Sequence, residues 1–117
     1  TCEARLKRLR RLLKPHASAL LVTHPANVTY LTGFAGDSTY LLIDARQALL
    51  ISDPRFEVQI AEECPGFDCF IRKPPMSLST ATAKVIGSFG AKQVAIEGHV
   101  VSVAQMEIWK GALPTVN

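Results

Sequence analysis

The sequence predicts a three-layer α/β domain, a mixed sheet of about five or six strands with helices on both faces. Three observations predict it. Short, mostly apolar runs recur along the chain, at residues 19–23 (ALLVT), 48–52 (ALLIS) and 93–96 (QVAI); each is too short for a helix and suits a buried strand. Between them lie stretches with helical spacing or helix-start signals, ended by Gly or Pro. Residues 39–43 and 48–52 are joined only by Asp-Ala-Arg-Gln, which suits a hairpin and makes the sheet mixed rather than all parallel.

Taken in order, residues 3–14 read as an amphipathic helix. Leu6, Leu9 and Leu13 repeat at three- and four-residue steps, Leu12 flanks them, and Pro15 marks the end. Arg5, Lys7, Arg8, Arg10, Arg11 and Lys14 occupy the rest of its surface. Such a face fits a membrane-surface or calmodulin-type helix, or an ordinary domain helix with a solvated basic face; its shortness and the strand that follows favour the last. Residues 19–23 form a strand covered on both sides. His24-Pro25 breaks it, and residues 25–31 form a short helix with Pro25 near its first position and His24 placed to bond its start. Residues 32–37 are a glycine-containing loop. After the hairpin, Asp53 is placed as an N-cap and Pro54 as the first helical residue. That helix runs to about Cys64 with Phe56, Ile60 and Ala61 inward, and Pro65-Gly66 stops it. Residues 67–71 alternate less cleanly, as a strand nearer an edge does. Residues 73–76, with two prolines, form a loop, and residues 79–89 a helix stopped near Gly90. After the strand at 93–96, Ser102 caps a helix through Met106 and Trp109 that Gly111 ends. Residues 113–117 begin a further strand.

A chain of 117 residues fits one domain, here 1–117. No apolar run approaches the ~20 residues of a membrane span, and the basic, helical N-terminus lacks the apolar core of a secretory leader; a cytoplasmic protein is expected. Cys2, Cys64 and Cys69 are odd in number and lack C-x-x-C spacing, which argues against a disulfide framework or a zinc site and for buried or half-buried thiols. The net charge of +3 is concentrated: six of the 13 basic residues lie within residues 1–14, and the remainder carries seven basic against nine acidic side chains. A nucleic-acid-binding surface is not indicated.

The search for chemistry excludes more than it finds. His16, His24 and His99 are far apart in sequence and form no metal-ligand pattern. Nucleophile elbows and phosphate loops are absent. Two clusters remain, both where strands give way to helices or loops, the usual place for ligands in open α/β sheets. One is Tyr30, Thr32, Phe34 and Asp37; the other is Asp53, Arg55 and Glu57. A guanidinium at a helix start opposes the positive end of the helix dipole. Arg55 therefore points either at an anionic ligand or at a neighbouring carboxylate of Asp37, Asp53 or Glu57. Tyr30 and Phe34 equally suit core packing.

The stretch ALLVTHPANVTYLTGFAGDS, residues 19–38, resembles the N-terminal domain of the creatinase/prolidase/Xaa-Pro aminopeptidase family. Asn27, Tyr30 to Phe34, the Asp53-Pro54-Arg55-Phe56 corner, Pro65-Gly66 and Ile96-Glu97-Gly98 match the family's pattern in order. Pro54 and Phe56 depart from it, standing where the family often has Gly and Tyr. The resemblance implies a creatinase/prolidase N-terminal fold of ribonuclease H-like type. It also implies that the catalytic "pita-bread" domain is separate from these residues. That domain would hold two divalent metals (Mn, Co or Zn) on two Asp, one His and two Glu, and a metal-bridging hydroxide would attack the carbonyl before proline. On this reading the present chain carries no catalytic or metal-binding residue. It shapes the substrate pocket and contributes to a homodimer, with Tyr30, Phe34 and Arg55 contacting a proline-containing peptide in the partner's active site. The resemblance also embraces creatinase-type hydrolases and peptidase-inactive protein-binding modules, and an unrelated small-molecule-binding α/β domain remains a third expectation.

Overall fold

A computed structural model of the chain describes residues 1–111. The strand expected at residues 113–117 lies outside the described residues. The elements run α1 (Cys2–Leu13), β1 (Ala19–Val22), α2 (Pro25–Thr32), β2 (Tyr40–Asp44), β3 (Ala48–Ser52), α3 (Glu57–Glu63), β4 (Asp68–Ile71), α4 (Leu78–Phe89), β5 (Val94–Ile96) and α5 (Val103–Lys110). Among the described residues, five strands form one sheet in the order β4-β3-β2-β1-β5. The pairs β1–β2 and β2–β3 are antiparallel, whereas β3–β4 and β1–β5 are parallel. Four strands therefore point one way and β2 alone is reversed.

Alternation along the strands sorts side chains onto two cores, as the two-residue period of a strand requires. Leu20 and Val22, Leu41 and Ile43, and Leu50 face the layer formed by α1, α2 and α3, where Leu6, Val28, Leu31, Ile60 and Cys64 meet them. Ala19, Leu21, Leu42 and Ile51 face α4 and α5, where Ala81, Val85, Ile86 and Trp109 close the second core. Each fully buried Leu or Ile contributes about 1.5–3 kcal/mol of transfer free energy, so both faces of the central strands are strongly held. Trp109 locks α5 onto α4: its ring is buried and its indole N–H donates to the Ser79 carbonyl at 3.0 Å.

Local signals explain the ends. Thr1 caps α1 through a bond from the Ala4 N–H, and Ser77 caps α4 through one from Thr80. Ser102 and Gln105 form a reciprocal capping box at the start of α5. β4, half exposed, is an edge strand as its sequence suggests. Three expectations need correction. Asp53 and Pro54 do start a helical turn, but it is a 3-10 turn over Pro54–Phe56, and α3 begins only at Glu57. Ala61 is exposed rather than inward, because the inward stripe of α3 passes from Ile60 to the next turn at Cys64. The cysteines are all free, but Cys69 on β4 is exposed, while Cys64 is buried and its thiol is pushed above the ordinary range by desolvation.

Candidate functional site at the carboxyl edge of the sheet

Because β1, β3, β4 and β5 run parallel, their carboxyl ends meet along one edge of the sheet, and β2 begins there. That edge gathers His24, the loop at residues 33–38, Asp53, Arg55, Arg72, Glu97 and His99, although they are spread over most of the chain.

Asp53, at the end of β3, is the hub. Its side chain is nearly buried, and its Oδ1 accepts from the Arg55 backbone N–H and the Arg55 Nε, both at 3.0 Å. Its Oδ2 accepts from Arg72 Nη2 at 2.6 Å. The backbone bond from Arg55, then the two guanidinium groups, hold the carboxyl down to about 2 against a partial penalty from desolvation. Arg72 is consumed by this role, since its other terminal nitrogen donates to the Met76 carbonyl. Arg55 is not. Its side chain is 64% exposed, its guanidinium carbon lies 5.0 Å from the Phe56 ring centroid, and its terminal nitrogens have no hydrogen-bond partner among the described residues. The local ion pair and the outward fork thus coexist in one side chain: Nε is anchored and the paired terminal donors face solvent. Glu57 and Asp37 take no part in this ion pair.

The loop after α2 is packed against this corner. Gly33 ends α2 at φ +83°, the left-handed conformation that glycine adopts without strain. The Thr32 hydroxyl donates to the Val28 carbonyl and accepts from the Phe34 N–H, while the Thr29 hydroxyl donates to the Phe34 carbonyl at 2.7 Å. Phe34 is wholly buried, edge-on to Phe56 with ring centroids 5.3 Å apart. Gly36 lies directly on this pair: a Cβ there would overlap the Phe34 ring and stand 3.2 Å from Phe56 Cε1. The expectation that Phe34 offers its ring to a ligand does not fit this burial. Its ring joins the loop to the Arg55 corner from beneath.

Tyr30 lies elsewhere. It is 53% exposed, with the Arg5 guanidinium 4.1 Å from its ring centroid and Arg5 Nη1 donating to its carbonyl. It lines a groove between α1 and α2 rather than the Arg55 corner. Glu97 is a further organising residue, and only its place in the Ile-Glu-Gly motif marked it in the sequence. One oxygen accepts from the Thr23 and His24 N–H groups at 2.6 and 2.9 Å, and the other from the Asn27 amide. It ties the end of β5 to the β1–α2 corner. His24 Nδ1 accepts from the Ala26 N–H, and the His24 and His99 rings stand 6.3 Å apart. Arg72 carried no sequence signal at all. Among the described residues, no three His, Cys, Asp or Glu side chains converge in a way that could hold a metal ion, so this edge does not fit a dinuclear centre.

The family model describing the creatinase/prolidase N-terminal domain matches residues 5–117. The chain belongs to this family. Within it, the chain is 33% identical over 94 residues to the uncharacterized peptidase YqhT of Bacillus subtilis, covering 80% of this chain and 26% of that protein. It therefore spans about a quarter of that relative's length. The N-terminal domain of the cytoplasmic peptidase PepQ from Mycobacterium tuberculosis superimposes with a TM-score of 0.83 at 31% identity, over 95% of this chain and 85% of that one. An Xaa-Pro dipeptidase from Bacillus anthracis gives a TM-score of 0.88 at 19% identity, a likeness of fold alone, over 99% of this chain and 32% of its own. The creatinase/prolidase N-terminal fold is thus shared with domains that occupy about a third of a longer peptidase chain.

Proposed function

We propose that this chain is a single, non-catalytic N-terminal domain of a dinuclear-metal Xaa-Pro peptidase of the aminopeptidase P/prolidase kind, acting in the cytoplasm. In this reading the metals and the hydrolytic residues belong to a C-terminal domain of the parent chain. The creatinase/prolidase domain stands against the active site of a homodimer partner and completes the wall of its substrate pocket. The observation that carries the reading is the Arg55 fork. Asp53 fixes Nε and Phe56 supports the guanidinium, leaving the two terminal nitrogens at the carboxyl edge of the sheet without a partner among the described residues. A guanidinium held this way has little further freedom to lose on binding, and its geometry matches a carboxylate bidentately. Arg55 therefore presents charge to the carboxylate of a proline-containing peptide. Phe34 supports that corner without touching substrate, and Tyr30, exposed between α1 and α2, lies away from it.

Two measurements test this. The 117-residue chain is expected to hydrolyse no Xaa-Pro dipeptide or tripeptide with Mn²⁺, Co²⁺ or Zn²⁺ supplied, and metal-dependent turnover by the pure chain would refute the assignment of catalysis elsewhere. In the longer polypeptide that this reading requires, Arg55→Ala is expected to lower kcat/KM for a peptide with a free carboxylate by roughly tenfold to a hundredfold, as loss of a charge-assisted pair does. Metal content and turnover of the carboxyl-amidated peptide should be unchanged. Equal losses on both substrates, or lost metal, would remove Arg55 from the substrate wall.

A further inference from the structure

A groove of about 320 Å³ runs between α1 and α2 over the β1 side of the sheet, at the lower end of the volumes usual for ligand pockets (about 300–1,000 Å³). Its lining combines apolar and cationic side chains. One stripe of α1, Arg5, Arg8, Leu9 and Leu12, forms a wall at the i, i+3, i+4, i+7 spacing of a single helix face. Tyr30 and Leu31 of α2 form the other wall, and β1 supplies an apolar floor. Leu12 is 65% exposed at the lip, although it is a large apolar side chain. Two guanidinium groups, Arg5 and Arg8, line the groove against one carboxylate, Glu97. Arg5 donates to the Tyr30 carbonyl, whereas Arg8 makes no hydrogen bond or ion pair among the described residues. Glu97, which also lines the groove, already has both oxygens engaged by N–H donors.

We infer that this groove is a docking site for an acidic, apolar-anchored helical segment of a partner polypeptide. Leucine-type side chains of the segment would enter between Leu9, Leu12 and Tyr30, and flanking carboxylates would meet Arg8 and the free donors of Arg5, the helix-in-groove mode of recognition. Charge decides against a second copy of this chain seated through the same face, since that would oppose two helices each carrying six basic side chains within residues 1–14. Concavity decides against a lipid surface, which takes a projecting apolar face rather than a recessed one. The site is distinct from the Arg55 corner and does not rest on the peptidase reading.

The test uses fluorescence anisotropy with a labelled helical peptide bearing leucines at i, i+3, i+4 and i+7 and glutamates between them. Two control peptides carry lysine for every glutamate, or alanine for every leucine. The acidic leucine peptide is expected to bind saturably, more tightly at low salt, and the controls at least about tenfold more weakly. Arg8→Glu and Leu12→Ser, both at exposed positions, should each weaken binding by about tenfold with unchanged thermal unfolding. No binding of the acidic peptide up to about 1 mM, equal binding of the lysine peptide, or indifference to both variants would overturn the inference. So would tighter association with phosphatidylserine vesicles than with the peptide, or concentration-dependent dimerisation abolished by Arg8→Glu.

Discussion

Glu97 offers the sharpest test of how this domain holds the carboxyl edge of its sheet. Its carboxylate accepts two backbone N–H groups at the end of β1 and the Asn27 amide at the start of α2. Hydrogen bonds to a charged acceptor contribute about 1.5–3 kcal/mol each when both groups are desolvated. Asn27 is exposed and His24 half-buried, so water replaces part of what those two bonds supply, and only the Thr23 N–H is held in a buried residue. Glu97→Ala should therefore cost about 2–3 kcal/mol in total. At about 4 °C per kcal/mol for a domain of this size, Tm should fall by roughly 10 °C. Glu97→Gln keeps a carbonyl oxygen for the two backbone donors and loses mainly the charge and the Asn27 bond, so its cost should stay below about 1 kcal/mol. Urea unfolding of the wild type and both variants at neutral pH measures the three values. If Glu97→Ala lies within about 0.5 kcal/mol of the wild type, the usual range of an inert surface change, or if Gln and Ala cost the same, the carboxylate is not what fastens β5 to the β1–α2 corner.

Gly36→Ala should destabilise the domain by at least about 2 kcal/mol, because the new methyl overlaps a Phe34 ring that is buried and pinned against Phe56; unfolding titrations of the variant check this, and a neutral effect would show that the loop can shift away. Asp53 carries a pH signature. Its folded carboxyl is depressed to about 2 from an ordinary value of 3.8, so its contribution is complete above about pH 4 and is lost as pH falls toward 2. Asp53→Asn should flatten that part of the stability–pH curve, with variant and wild type converging in acid, as measured by urea midpoints between pH 7 and 2.5. Thr23→Val should be neutral or stabilising by up to about 1 kcal/mol, because the Thr23 hydroxyl oxygen is buried without a hydrogen-bond partner among the described residues; a loss of more than that in a thermal melt would reveal a partner.

Secondary structure was largely readable because its signals are local. The Leu6–Leu9–Leu13 stripe, His24-Pro25, the four-residue hairpin link and Ser102 each act within a few residues of themselves, and the structure places a helix, a helix start, a hairpin and a capping box there. The same locality explains the miss at Pro54: the cap and the proline specify that a helical turn begins, but not whether its first turn is 3-10 or α. Arg55 was legible as a charge at a strand end. Its partner among three nearby carboxylates was not, since Asp37, Asp53 and Glu57 are equivalent until the backbone sets their directions.

By itself, then, the sequence determined the alternating elements, the mixed sheet and the membership in the creatinase/prolidase N-terminal family, because periodicity, caps and motif order are properties of the linear chain. The tertiary structure alone decided that Phe34 lies inside and Tyr30 outside, that Arg72 joins Arg55 on Asp53, and that Glu97 reaches back more than 70 positions to Thr23 and His24. Those outcomes follow from strand order. Side chains distant in sequence become neighbours only when parallel strands end at a common edge, and no local pattern encodes which strand lies beside which.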